Sequence, residues 1–552
     1  MTYIRSRFSC SSQKTRGMRS GKKINRELFM KRVIALFCLL SMLLVMVGCP
    51  ASGPSDDGKK DDGNPGDTTW IDGLGDKKFA DGTEVVISCF DLYGYEIYGD
   101  ENSEEMIDHE TYLRNQRLED RFNLTIVPNV TKSTGTTDLD SHYNYVRKAM
   151  DRGDNTEFDL IAMMAYQSGK QIKLGYYLDW RSEVPYVGDS IKAGKAWWPK
   201  DINTDCTVMG RQYVAVSDLC LTSMEMCYAV VFHKDLVDDN NIATKMASAI
   251  GNTSYRTMYD IVNGGDWTID NFMGILKDSW QDNPTSGDPQ KVDKEDIFGL
   301  AGGKGTDSDA WAFAFGFHYI ENDGENYPEV WTVTSKTVTA ISKLKEMYGY
   351  NGTYGSTWGD NYPERNQFFA EGHAYFALMS LEQLKSDVIH EMESAYGILP
   401  YPKYDKTQAK YYTGTMDHYT VLSIPYFNFQ KLEETGTLVE AMSAESSRTV
   451  KDKYYSLIIT HKGTREEESI PMIEMIMAGR RYDLSTYHYS DVTLPSLAGS
   501  TNASLGLFFR YMVNDTQNRD AATFWSQCAD AVNASFEDLV AEYERIAAGS
   551  GT

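Results

Sequence analysis

The sequence predicts an α/β protein of two lobes, each assembled from non-contiguous segments, and three observations carry this. Apolar strand patterns alternate with amphipathic helix patterns from Glu84 to Met163, the rhythm of a sheet covered by helices. After the apolar run Tyr228–Phe232 the character turns mostly helical, and alternation returns only at His373, as when a chain leaves one lobe for another and comes back. The residues beyond Gly48 number about 500, more than one hydrophobic core usually holds.

Taken in order, the chain opens on a segment with no part in that fold. Val33–Gly48 (VIALFCLLSMLLVMVG) is an uninterrupted apolar run behind the basic Met30-Lys31-Arg32 and directly before Cys49. It reads as a secretory signal peptide with small Gly48 before the cut. Met46-Val47-Gly48-Cys49 resembles the bacterial lipobox, with Met46 where Leu is usual. That resemblance implies acyl chains on the Cys49 sulfur, holding the protein at the extracytoplasmic face of the cell membrane. A transmembrane anchor is the alternative, since roughly 17 apolar residues just span a bilayer; both readings export the remainder. Residues 1–29 carry Arg5, Arg7, Lys14, Arg16, Arg19, Lys22, Lys23 and Arg26 without an apolar period, so translation is expected to begin at Met30. Ala51–Thr69 (ASGPSDDGKKDDGNPGDTT) has no apolar residue larger than Ala or Pro and reads as a disordered tether.

The folded sequence starts with a strand at Glu84–Phe90. A helix over Glu104–Arg121 has Ile107, Tyr112, Leu113 and Leu118 on one face, and Asn123 ends it before the strand Leu124–Val127. A helix at His142–Arg152 and the strand Phe158–Met163 follow. In such sheets the ligand crevice lies beyond the carboxyl ends of the strands, so the residues just after them are the place to look for chemistry. Beyond the strand Tyr228–Phe232, helices are expected at Ser254–Val262, Ile269–Trp280, Ala310–His318, Lys336–Tyr348 and Asn366–Glu371. The strand His373–Met379, a helix Leu381–Glu393 and the strands Tyr396–Pro402 and His418–Ile424 complete the pattern. No internal repeat is visible.

Composition removes several function classes. The chain has 54 Lys+Arg against 79 Asp+Glu; residues 1–48 hold ten of the bases and one acid, leaving a net charge near −34 after Gly48. Such a surface repels nucleic acid and anionic lipid, and neither is expected as a partner. Five cysteines follow Cys49 (Cys89, Cys206, Cys220, Cys227 and Cys528), an odd number that defines no disulfide framework. Cys220 and Cys227 could pair in an oxidising envelope, although both sit in apolar stretches that favour free buried thiols. With no CxxC, no HExxH and nine His, neither a zinc or redox site nor any other cofactor is expected.

Several motifs, in order, then meet a family. They are Tyr112-Leu113-Arg114-Asn115 through Leu118–Leu124; Trp197-Trp198-Pro199; Val231–Leu236, with His233 where Asn is usual; and Met258–Val262 with Gly265–Asp270. Further on come Phe369–Ala374, Tyr396–Asp405 with Gln408 and Tyr411, and Ala478–Leu484. From about Asp81 to Asp491 the chain resembles the family 1 extracellular solute-binding proteins, the sugar-binding lipoprotein class that includes maltose-binding protein. The resemblance implies a two-lobed, periplasmic-binding-protein-like (type II) fold with discontinuous lobes and a hinge. One lobe would be 81–230 with about 412–490, the other 231–411 with about 491–552, behind a signal peptide (1–48) and a lipidated tether (49–80). It further implies a non-enzymatic monomer that binds a carbohydrate, expected to be an oligosaccharide, and delivers it to the permease subunits of an ABC importer. The acidic calcium loop common in relatives is broken here: Asp282 to Asp296 lack the alternate oxygen ligands and carboxylate spacing such a loop needs, and a solvated acidic loop is expected instead.

Sugars present apolar faces rimmed by hydroxyls, so a site needs aromatic platforms with a few polar groups. Tyr166 and Gln167 follow the strand ending at Met163, where relatives carry a stacking aromatic and a polar ligand; for Tyr166 packing is the alternative. Asp218, in the loop before the first crossover, is a candidate for sugar hydroxyls or a turn cap. Trp311 aligns with an aromatic of the second lobe and otherwise packs in the core. At Met379-Ser380-Leu381-Glu382 the stacking Trp of relatives is missing, which marks Ser380 for an altered ligand shape and Trp358 as the replacement platform. Asp417-His418-Tyr419 is a hinge candidate that could also bond ligand, with Asp417 and Tyr419 as its contacts, while Trp197 and Trp198 read as structural. Two other functions compete with the receptor. A secreted glycoside hydrolase needs two acids across the scissile bond, and the aligned positions offer one. A ligand-free structural or signalling envelope lipoprotein is kept in play by the altered turn at Ser380.

Overall fold

The computed structural model describes residues 70–133, 139–283, 295–355, 362–461, 464–495 and 503–549. Val33–Gly48, Cys49, the tether and Trp358 lie outside these. Nine strands form two sheets: β1 (Thr83–Phe90), β2 (Leu124–Thr131), β3 (Leu160–Met164), β4 (Tyr228–His233), β5 (Phe298–Ala301), β6 (Thr353–Tyr354), β7 (Ala374–Ser380), β8 (Tyr396–Leu399) and β9 (Thr420–Ser423).

The first sheet has the order β9-β3-β1-β2 and the second β6-β5-β7-β4-β8. In the first, β1 runs parallel to β2, with Thr83 opposite Leu124 and Phe90 opposite Thr131, and parallel to β3. The late strand β9 inserts antiparallel beside β3, Thr420 facing Met164. In the second, β5, β6 and β7 are parallel, while β4 is antiparallel to both β7 and β8. Strands in the middle of a covered sheet read as continuous apolar runs, and every residue of β4 (YAVVFH) and β7 (AYFALMS) is buried. Pro128 interrupts neither β2 nor its pairing, because β2 is an edge strand whose missing N–H no neighbour needs.

Local chemistry sets the element ends. The helix Met106–Phe122 stops at Asn123, which takes the left-handed conformation (φ 56°) that Asn tolerates, and its N–H closes onto the Glu119 carbonyl. Thr257 and Asp260 form a capping box at the start of the helix Met258–Asn263. The helix expected over Leu381–Glu393 is not continuous. Ser386 is extended (φ −70°, ψ 143°) and splits the stretch into a 3-10 turn, Leu381–Lys385, and a one-turn helix, Asp387–His390. Ser competes with helix by bonding nearby backbone, and here its hydroxyl donates to the Gln383 carbonyl at 2.7 Å.

Three chain segments run side by side at the junction of the two sheets. Cys227 pairs antiparallel with Thr415, and Thr413 pairs parallel with Arg480. The main-chain bonds Met416 N–H to Met226 O (3.0 Å), Thr413 N–H to Gly479 O (2.8 Å) and Arg481 N–H to Thr413 O (3.1 Å) tie them together. The five cysteines of the described residues are all buried free thiols, Cys220 and Cys227 included. Trp197 and Trp198 both donate through Nε1 to the buried carboxylate of Glu440, at 3.1 and 2.8 Å, and Ser190 adds a third donor at 2.6 Å. That arrangement makes the Trp pair part of the packing. Among the described residues no helix is long and apolar enough to cross a membrane.

Candidate ligand-binding cleft

The carboxyl ends of the parallel strands in both sheets deliver polar side chains to one half-buried cluster. Tyr93 comes just after β1 and Tyr166 just after β3. Because β9 runs antiparallel, its start brings Asp417 and His418 to the same end, where the Ala165 N–H donates to the Tyr419 carbonyl at 2.9 Å. From the second sheet come Glu382, in the turn after β7, and Asp309, on the helix Thr306–Ala314 that follows β5. Tyr489 and Arg510, the latter on the helix Phe508–Asn514, complete the group; all eight side chains are half-buried.

Their contacts are specific. The Tyr166 ring lies 5.1 Å from that of His418 and 6.3 Å from that of Tyr489. His418 Nδ1 is 2.6 Å from Asp417 Oδ1. Arg510 holds both oxygens of Asp309 as a fork, Nε at 3.2 Å from Oδ1 and Nη2 on Oδ2. Burial pushes the Asp309 carboxyl up to about 6 against the pull of Arg510. Burial acts the same way on Asp417, but the His418 hydrogen bond and charge, with Arg510, outweigh it and hold Asp417 below the usual carboxylate range. On His418 burial is opposed by Asp417 and Glu382, and the imidazole ends above its ordinary value. Burial raises Glu382, reinforced by Glu225, and lifts the phenols of Tyr166 and Tyr489 to about 12, so both stay neutral donors. Neutral aromatic faces beside fixed charges give apolar platforms rimmed by polar groups.

Beneath the cluster a polar bridge joins the two sides. Lys385, after β7, reaches the buried Glu225 carboxylate at 2.5 Å, and Tyr95, after β1, donates to the other oxygen of the same carboxylate. Glu96 is buried beside it and accepts from the Thr222 N–H at 2.9 Å.

The residues named from the sequence divide. Tyr166 and Asp417 stand in the cluster. Gln167 is buried and turned away, donating to the Leu139 carbonyl at 2.8 Å and Asp140 Oδ1 at 3.1 Å; it also meets the Tyr166 hydroxyl at 3.0 Å, and so positions that ring. Four expectations are corrected. Trp311 is fully buried, its ring 4.6 Å from Tyr401 and its Nε1 donating to the Tyr348 hydroxyl at 3.1 Å, so it packs and offers no platform. Ser380 is fully buried at the end of β7. Tyr419 is fully buried and stacks on Tyr482 at 4.2 Å. Asp218 is 2% exposed, and its Oδ2 is 2.5 Å from Lys451 Nζ, in a different cavity. Trp358 lies outside the described residues. Of the acidic stretch, Asp296 is buried and accepts through Oδ1 from the Asn283 N–H at 3.0 Å.

Sequence reasoning passed over Tyr93, Asp309, Tyr489 and Arg510. Tyr93 carried a usable signal, since it follows a strand in the way Tyr166 does. The Asp309–Arg510 pair carried none, because its members are 201 positions apart.

No family model matches this chain, and no curated protein matches it by sequence. Its structure is similar to that of a cyclo/maltodextrin-binding protein complexed with maltotetraose. That match is 10% identical, with a TM-score of 0.51, and covers 84% of this chain and 99% of the other. Also similar are the apo form of RafE from Streptococcus pneumoniae (14% identity, TM-score 0.47, covering 84% and 99%) and maltose-bound T. maritima MalE3 (12%, 0.47, 82% and 99%). The first match places the chain in the two-lobed, periplasmic-binding-protein-like α/β fold.

Proposed function

We propose that the protein is a non-catalytic, extracytoplasmic receptor that closes two lobes on a carbohydrate, in the first instance an oligosaccharide, and hands it to the permease subunits of an ABC importer. The observation that carries this reading is the half-buried cluster of Tyr93, Tyr166 and Tyr489 with Asp417, His418, Asp309, Glu382 and Arg510, drawn from the strand ends of both sheets. Aromatic faces stack on the sugar ring and the charged rim takes its hydroxyls. Contacts made from both sides favour the closed state, and their differential affinity drives closure. One lobe would be 81–230 with about 412–490 and the other 231–411 with about 491–552. Acyl chains on Cys49 would keep the monomer at the membrane, with 49–80 as its tether.

Asp309 and Asp417 have proton affinities pushed apart, as in a pair of glycosidase acids. Here Arg510 occupies both oxygens of Asp309, and His418 occupies Asp417, which suits fixed hydrogen-bond acceptors rather than a proton donor to a leaving group. Three carboxylates against one guanidinium and one imidazole also suit a neutral sugar better than an acidic one. Thermal-shift and product analysis with neutral and uronic-acid oligosaccharides tests the reading. A rise in midpoint with a neutral sugar and no shortened products is expected. Release of shortened sugars would make the protein an enzyme, and silence toward every sugar would favour the ligand-free envelope lipoprotein.

A further inference from the structure

A second cavity of about 340 Å³ opens beside the crossing segments, lined entirely from 196–218 and 451–480, and shares no residue with the cleft. Its volume is at the lower end for small-molecule sites. Its walls come from separate parts of the chain: Lys200 and Asp218 precede the first crossing segment, Lys451 and Tyr455 sit on the helix Val450–Ile459, and Arg480 lies on the third crossing segment.

The polar atoms facing this cavity are built in and incompletely used. Arg480 is 4% exposed; its Nε donates to the Met477 carbonyl and its Nη1 to Ser223 Oγ, each at 3.1 Å. Its Nη2 has no hydrogen-bond partner among the described residues. Asp218 gives Oδ2 to Lys451, while its Oδ1 and the Tyr455 hydroxyl likewise have no partner among the described residues. Arg480 and Asp218 are thus nearly buried side chains that each turn one unpaired polar atom to the cavity, where a ligand can meet it. Lys200, Lys451 and Arg480 outnumber Asp218, since the other acid of the wall, Asp201, is paired with Lys410 at 2.9 Å. On a body whose net charge is near −34 this is a local excess of positive charge.

We propose that this cavity is a binding site for a small carboxylate that carries a hydroxyl or ammonium group beside its carboxyl. The carboxylate meets Arg480 Nη2 and the Tyr455 hydroxyl, and the neighbouring donor meets Asp218 Oδ1. A ligand held this way bridges the loop at Asp218 and the third crossing segment at Arg480, which belong to the same proposed lobe. The site stands apart from the sugar reading.

Calorimetric titration of the purified full-length protein with L-malate and L-serine tests the site, with propionate lacking the donor and glycerol lacking the carboxylate as comparisons. Saturable binding of at least one of the two acids is expected, with neither comparison compound binding. Tyr455→Phe should weaken it about fivefold to tenfold, as for one lost hydrogen bond, and Arg480→Gln should abolish it. Since Arg480 is buried, Tyr455→Phe and the exposed Lys200→Gln decide the matter if Arg480→Gln does not fold. Absence of saturable binding by both acids, equal binding of propionate, or affinity unchanged in both Tyr455→Phe and Lys200→Gln overturns the site. A failure of every sugar to bind would refute the cleft reading and leave the cavity measurement standing.

Discussion

Replacing Glu96 by Gln should change how stability depends on pH. Glu96 is 1% exposed, in the turn after β1, and its Oε2 accepts from the Thr222 N–H at 2.9 Å, tying that turn to the short helix Thr222–Glu225. Burial raises its carboxyl from 4.5 to about 7, even though the Thr222 and Thr420 hydrogen bonds pull the other way. A carboxyl raised in the folded state prefers to be protonated there. The stability it contributes is therefore fully present below about 4.5, the unfolded value, and is lost as pH rises through about 7. The difference amounts to on the order of 3 kcal/mol. Gln keeps the carbonyl acceptor for the Thr222 N–H and cannot ionise. Urea melts of wild type and Glu96→Gln at intervals from pH 4.5 to 8 measure the difference directly, and carboxylates such as Asp491, held down to about 2 mainly by His488 and Lys173 against burial, cancel from it. The variant should gain on wild type steadily across that range, by up to about 3 kcal/mol. Stability curves that stay parallel would refute the assignment of a buried, mostly neutral Glu96 at low pH.

Tyr166→Ala should weaken sugar binding by about 1–3 kcal/mol, read by calorimetry, with the ligand-free midpoint nearly unchanged. Trp311→Ala should do the reverse, costing about 3–5 kcal/mol of stability in denaturant melts as a core cavity while the fraction that folds keeps its sugar affinity. Lys385→Met leaves the buried Glu225 carboxylate with only Tyr95, and a loss of about 2–4 kcal/mol is expected, lessened because Lys385 itself is 25% exposed. Cys49→Ser should abolish acylation, seen as loss of fatty-acid label and recovery of the protein in the soluble fraction; retention in the membrane would support an uncleaved Val33–Gly48 anchor.

The strands were legible where the sequence concentrates apolar side chains. β3, β4 and β7 are buried runs, as is the second half of β1, and Asn123 marked a helix end by its own backbone chemistry, whereas the helix expected from Ser254 begins only at Met258, behind the Thr257 cap. Legibility failed where tertiary structure decides. The Leu381–Glu393 stretch has helical spacing, yet Ser386 extends and breaks it. The helix Ala521–Ala547 lies beyond the family motifs, which end near Asp491, although Phe524, Cys528, Val532, Phe536, Leu539 and Tyr543 fall at helical spacing on its buried side. In the cleft, the rule that ligands meet the carboxyl ends of strands found Tyr166 and would have found Tyr93. It could not tell a buried Trp311 from an exposed one, nor pair Asp309 with Arg510 across two helices.

In the proposed receptor, the three segments paired through Cys227, Thr415, Thr413 and Arg480 would bear on how fast a ligand is caught. A ribbon of three hydrogen-bonded chains bends readily across its plane and resists stretching, shear and rotation within it. Two bodies joined by a single linker would explore many relative orientations, and most encounters with a sugar would find the opposing wall misaligned. Joined by a ribbon, they keep one soft coordinate, and each swing along it returns the same side chains to the same register. In the proposed receptor, the entropy of aligning Tyr166 with Arg510 would therefore be removed during folding, before a ligand arrives, and capture would be a search in one dimension.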